Sequence, residues 1–182
     1  MKKLSLLLAV AVCALASAAV ASAGNVPSTL SVSGTPGIST SLPSSLAFGS
    51  LTISGGDMTT LGDLAINVVD DRGTGAGWHT TITSTQWTNG TQTLDVNATS
   101  ITGVAEACHS GYTCTDPTNA ITYPLVIPAG ATAPAAVSMY DAALNSGMGS
   151  FDLTFHESLA FPANGYAGSY TSTQTIASTT GP

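Results

Sequence analysis

The chain has little charge, and positive charge least of all. Only 7% of its 182 residues are charged, and lysine plus arginine number 3 against 10 acidic side chains. Two of those cations, Lys2 and Lys3, stand at the very start, so Arg72 is the sole cation of everything after them. Nucleic acid, anionic lipid surfaces and wall polyanions are therefore excluded as charge-driven partners, since each calls for a basic surface. A ligand would have to be held by hydrogen bonds, stacking or a bridging cation. Aromatic residues are also scarce, at 6%, with Trp78 and Trp87 the two tryptophans.

Long apolar runs are missing after the first twenty residues, so no membrane span is expected there. The one such run, Leu4 to Val20, follows Lys2-Lys3 and precedes Ala21-Ser22-Ala23. A short basic region, an apolar stretch and an A-x-A site together read as a secretory signal peptide over residues 1–23. Residues 24–182 then form a single domain, secreted and either released or retained at the cell surface by binding something. Cys13 falls in the leader, which leaves Cys108 and Cys114. In an oxidising compartment a pair this close is expected to close one small disulfide loop. A metal site would need further ligands at recognisable spacing, and only His109 lies near.

What remains is rich in Thr, Ser, Gly and Val, arranged in short alternating segments between turn residues, which is an all-β pattern. Strands are expected at Leu30–Val32, Leu46–Ile53, around Leu64-Ile66-Val68, from Trp78 to Thr83, and at Leu94–Val96 after an Asn89-Gly90 turn. The pattern stops from Gly103 to Ala120. It resumes over Ile121–Ile127, where Pro124 points to an edge or a bulge. Asp141–Asn145 reads as one helical turn, followed by a strand from Phe151 to Leu159 and a last one from Tyr170 to about Ala177. Alternation in the Phe151 strand puts Glu157 among apolar neighbours, which a bulge would resolve. Eight or nine one-faced strands with little helix predict a two-sheet antiparallel β-sandwich of Ig-like or Greek-key type.

Chemistry-bearing patterns are sparse. There is no Gly-x-Ser-x-Gly elbow, no second histidine at zinc spacing from His156-Glu157, and no obvious nucleophile for the three histidines once the cysteines are oxidised, so an enzyme is not expected. No cofactor motif is present either. Asp57, Asp63, Asp70 and Asp71 could hold calcium, although their spacing matches no calcium loop. The segment Val69-Asp70-Asp71-Arg72-Gly73-Thr74-Gly75-Ala76-Gly77-Trp78-His79-Thr80 ends one strand on acids, turns on glycines and starts the next strand on an aromatic. Arg72 there could fork onto a ligand carboxylate or pair with a neighbouring acid. Trp78 could stack on a sugar or plug the core, and sharing a face with Ile82 favours the core. Trp87 points to the opposite face. With the Cys108–Cys114 loop and its Tyr112, it is the better candidate for a binding surface, and Tyr170 is a further binding candidate.

Three segments resemble the signatures of WxL domains, the cell-surface modules of Gram-positive bacteria. Val69 to Thr80 is similar to the first signature, with Thr80 where the family has leucine. Ala142 to Phe151 is similar to the small-residue, Gly-Met-Gly stretch ahead of a strand. Tyr166 to Pro182 is similar to the C-terminal signature, with Tyr170, Thr175 and Pro182 at the family's spacing but Ile176 and Ser178 in place of Trp and Leu. The resemblance implies a non-enzymatic module attached non-covalently to peptidoglycan or to other surface proteins. Two other readings stand beside it. One is a structural subunit that self-assembles through sheet edges, since no lysine protects them. The other is a secreted glycan hydrolase working through a pair of carboxylates.

Overall fold

The computed structural model describes residues 28–182, so the leader expected over residues 1–23 lies outside them. Within the described residues, Val32–Pro182 forms one compact unit. Alternation builds its first sheet. Strands β2 (Met58–Asp70) and β8 (Gly149–Phe161) pair antiparallel over their whole length, Met58 opposite Phe161 and Asp70 opposite Gly149. Leu64, Ile66 and Val68 of β2 and Phe151, Leu153 and Phe155 of β8 all face inward and are buried. The short β1 (Ser39–Ser41) lies against β2, while β4 (Thr99–Cys108) and then β5 (Leu125–Val126) extend the sheet beyond β8.

The second sheet is centred on β3 (Trp78–Thr85). One edge of β3 pairs with β9 (Gln174–Thr180) and the other with β7 (Val137–Ala142), both antiparallel. Beyond β7, Ser84 and Thr85 pair parallel to the two-residue β6 (Ala129–Gly130). Between β5 and β6 the chain crosses from one sheet to the other at Ile127, which is fully buried and donates its N–H to Thr99. The described residues hold nine strands and no helix, an all-β two-sheet architecture of the β-sandwich kind.

Two apolar clusters fill it. The main one lies between the sheets around Trp78, Tyr140, Phe151 and Phe155. A smaller one joins Phe48, Leu94, Leu159 and Phe161, with Trp87 and Tyr170 packed against it. Each fully buried Leu, Ile or Phe side chain contributes about 1.5–3 kcal/mol, so the main cluster dominates stability.

Several expected elements take another form. Leu30 and Val32 are not in a strand and are 88% and 81% exposed. The segment 46–53 pairs with no strand; its Phe48 instead covers the smaller cluster. Thr88 and Thr93 close the Asn89-Gly90 turn by a single bridge, and Leu94–Val96 does not continue it as a strand. Conversely Gly103–Cys108, expected as loop, continues β4 along β8. Of Ile121–Ile127 only Leu125–Val126 pairs, at the sheet edge. Asp141 and Ala142 end β7 rather than starting a helical turn, and Asn145, at φ 62, and Gly147, at φ 69, form a plain turn. The last strand begins at Gln174, not Tyr170.

Candidate functional site

The acid–glycine segment folds into an internal clamp. Arg72 donates from Nε and Nη2 to the two carboxylate oxygens of Asp70, each at 2.8 Å. Its remaining donors reach Gly77 O at 2.8 Å and Thr180 Oγ1 at 2.7 Å, which ties β2, the glycine turn and β9 together. Arg72 and Asp70 are both buried. Gly77 has φ 70, and a side chain there would meet Ala142 O at 2.4 Å, so only glycine lets the turn close on β7. Trp78 follows, fully buried, stacked on Tyr140 with ring centroids 5.5 Å apart and donating its indole N–H to Gly147 O at 2.8 Å. Arg72 and Trp78 thus act inside the fold and offer no surface to a ligand.

Trp87 and Tyr170 come together elsewhere, in an open cleft of about 770 Å³ beside the smaller cluster. Backbone bonds fix Trp87 from both sides: Gln86 donates to Gly130, Thr88 and Thr171 bond each other, and Leu94 donates to Trp87 O. The indole donates to Thr99 Oγ1 at 2.8 Å and meets the Phe48 ring edge-to-face at 5.4 Å. Phe48 is seated because β2 carries Gly62 beneath it, where even a Cβ would stand 3.2 Å from the ring. Across the cleft Tyr170 packs edge-to-face on Phe161 at 5.6 Å and donates to Tyr166 O at 3.0 Å. Tyr166, Leu51 and Ile53 are exposed at its rim. Every lining residue is apolar, aromatic, hydroxyl-bearing or glycine; none is charged.

A second cleft of about 320 Å³ shares Phe48 and Trp87 with the first. It opens between residues 42–46, which continue β1, and residues 172–176, which enter β9. Leu64 and Ile176 line its apolar part, and Gln174 lines it too. Gln174 donates to Glu157 Oε2 at 2.7 Å. Glu157 is fully buried, its Oε1 has no partner, and burial pushes its carboxyl up to about 7. The bulge invoked for this residue exists, but in the partner strand: β4 shifts register between Ile101 and Gly103 while β8 stays regular, so Glu157 points inward.

The cysteine loop forms as expected, with a Cys108–Cys114 disulfide. Tyr112 is exposed there, its ring 5.6 Å from that of His109. His109 Nδ1 bonds Asp152, which also accepts from Asn67, and these two partners, Asn67 first, hold the Asp152 carboxyl below its ordinary value. The four aspartates considered for calcium serve different partners: Asp57 accepts from Ala163 N, Asp63 meets His156, Asp70 holds Arg72, and Asp71 accepts from Thr35 Oγ1. Of the five residues proposed for binding, the fold therefore unites Trp87 and Tyr170, encloses Arg72 and Trp78, and sets Tyr112 apart. Sequence reasoning missed Phe48, Phe161 and Tyr166; Gly62 amid the alternation of β2 is the signal that an aromatic lies over that strand.

Comparison with protein-family models, with curated protein sequences and with solved structures returns no match for this chain.

Proposed function

We propose that the domain is a non-enzymatic binding module of the bacterial cell surface that holds an uncharged stretch of wall glycan in the aromatic cleft. The observation that carries this reading is the charge-free cleft between Trp87 and Tyr170. Sugars present apolar ring faces edged with hydroxyls. Aromatic walls interspersed with Ser and Thr hydroxyls meet both features, and with Arg72, the one Lys or Arg among the described residues, buried, there is little means to attract an anion. The secretory signal peptide read over residues 1–23 and the resemblance to WxL signatures support a module that works outside the cell, on peptidoglycan or beside other surface proteins.

Co-sedimentation of the mature chain with purified peptidoglycan tests this. The wild type is expected in the pellet. Trp87→Ala and Tyr166→Ala should each weaken retention about tenfold, as loss of one stacking contact worth about 1.4 kcal/mol implies. A wild-type protein left wholly in the supernatant overturns the proposal.

A further inference from the structure

A strand-like arm and an unfilled strand position occur in the same chain. In Ser28-Thr29-Leu30-Ser31-Val32-Ser33 the last five residues alternate polar and apolar as in a half-buried strand, yet Leu30 and Val32 are the most exposed large apolar side chains described. The arm ends at a fixed point. Gly34 fits so tightly against Arg72 O that a Cβ would stand 2.1 Å away, and Thr35 donates its N–H to Asp71 O. The clamp around Arg72 therefore also anchors the root of the arm.

The smaller cleft is where the two sheets fail to meet. Its banks are residues 42–46, which have left β2, and residues 172–176, whose backbone turns only toward β3. A side-chain bond, Thr40 Oγ1 to Ser178 Oγ at 2.8 Å, joins β1 to β9 just beyond it, with no backbone ladder between these strands. Leu64 and Ile176 line the gap, and no charged residue guards either bank. Six extended residues reach about 20 Å, enough to run the length of a five-residue bank.

We infer that this seam accepts the Ser28–Ser33 arm of a second copy as an added strand, with Leu30 and Val32 over Leu64 and Ile176, so that copies join head to tail. Strand addition supplies backbone bonds to the open edge of β9 and buries the two exposed side chains in one step. The root of a copy's own arm is fixed away from its own gap. It lies beside Asp71, past the end of β2, and β1 already occupies the path from there to Leu64. Because the arm is passed to another molecule, the contact does not close on itself, and open chains of subunits result. The inference goes beyond wall binding and does not depend on it.

The test uses the mature chain, residues 24–182, without wall material. Sedimentation over a range of concentrations should show growing oligomers, and deletion of residues 24–33 should leave monomers. A peptide of residues 24–34 should bind the arm-deleted protein, and the same peptide with Leu30→Asp and Val32→Asp should bind at least about tenfold more weakly. Mixing Leu30→Cys molecules with Thr173→Cys molecules under oxidation should give covalent dimers. Monomers at every concentration with no peptide binding overturn the inference. So does a cross-link that forms only within a chain carrying both cysteines, which would mean that each arm fills its own seam. Wall co-sedimentation of the arm-deleted protein reads the other proposal separately.

Discussion

Glu157 is the residue at which local pattern and physical cost conflict most sharply. Alternation in β8 carries it inward between Phe155 and Leu159, where its single partner is Gln174 and no charge faces it. Burial disfavours its ionised form, and the carboxyl rises from 4.5 to about 7. Below the lower value the group is protonated whether the chain is folded or not. Between the two values the unfolded chain releases a proton that the folded chain keeps, so stability falls as pH rises through this window and levels off above about 7. The full drop is about 3 kcal/mol. Thermal melts of the wild type should therefore show a lower transition temperature at pH 8 than at pH 5, a decline of roughly 10 °C by size scaling. Glu157→Gln, neutral at every pH, should lose most of this dependence and melt higher than the wild type at pH 8. An unchanged pH profile in that variant would place the titrating group elsewhere. Arg72 is the opposite case: the sole Lys or Arg after Lys3 is buried, but bidentate pairing with Asp70 and two further acceptors satisfy its donors. Its pairing was foreseeable from composition, since every nearby charged side chain is an acid. The half-buried setting of Trp87 against the smaller cluster was not, because it depends on Phe48, a residue far off in sequence.

At the scale of elements, the disulfide loop shows what a small covalent ring contributes. Cys108 ends β4 beside Phe151, and the six-residue separation to Cys114 closes the chain just outside the sheet. Cross-linking so short a loop restricts the unfolded chain by about 2–3 kcal/mol. The Cys108→Ser, Cys114→Ser double variant should lose that much in denaturant unfolding, with the midpoint shifted and the slope nearly unchanged. Its glycan retention should stay at the wild-type level, since the loop contributes nothing to the lining of the aromatic cleft. A large loss of retention would move the binding surface to Tyr112. The loop also marks where sequence periodicity stops being informative. β2, β3 and β8 are legible because each buries one face, so their apolar residues recur at every second position. The end of β4 is not, because Gly103 to Cys108 runs mostly half-exposed or exposed along β8 with few large side chains to show a period. Asp141-Ala142 departs from the expected helical turn for a related reason. Short alanine-rich segments suit a helix by intrinsic propensity, and only the pairing of Ala142 with Trp78 makes this one a strand. Segment 46–53 has strand-like apolar content, but Leu46 and Phe48 cover the smaller cluster while Leu51 and Ile53 stand exposed, and none of it faces a partner strand.

For the whole molecule, the distribution of charge sets how binding responds to salt. Asp70 and Glu157 are buried, and the other acids give the surface of the described residues a negative field, with Arg72 enclosed. The cleft between Trp87 and Tyr170 carries none of those charges. A ligand held there by stacking and hydroxyl contacts exchanges no counterions on binding, so its affinity lacks the steep salt dependence of a polyanion complex. Residual repulsion between the acidic surface and wall anions is screened as the Debye length shrinks from about 10 Å at 0.1 M salt to about 3 Å at 1 M. Retention on purified peptidoglycan is therefore expected to stay constant or to rise modestly between 0.1 and 1 M sodium chloride. Removing anionic polymers from whole walls before the assay should not reduce it. A loss of tenfold or more over the same range would show that the complex rests on ion pairs, and with Arg72 committed to Asp70 those could come only from the acidic side chains meeting a cationic partner. Salt titration thus separates stacking in the aromatic cleft from charge pairing on the outer faces of the sheets.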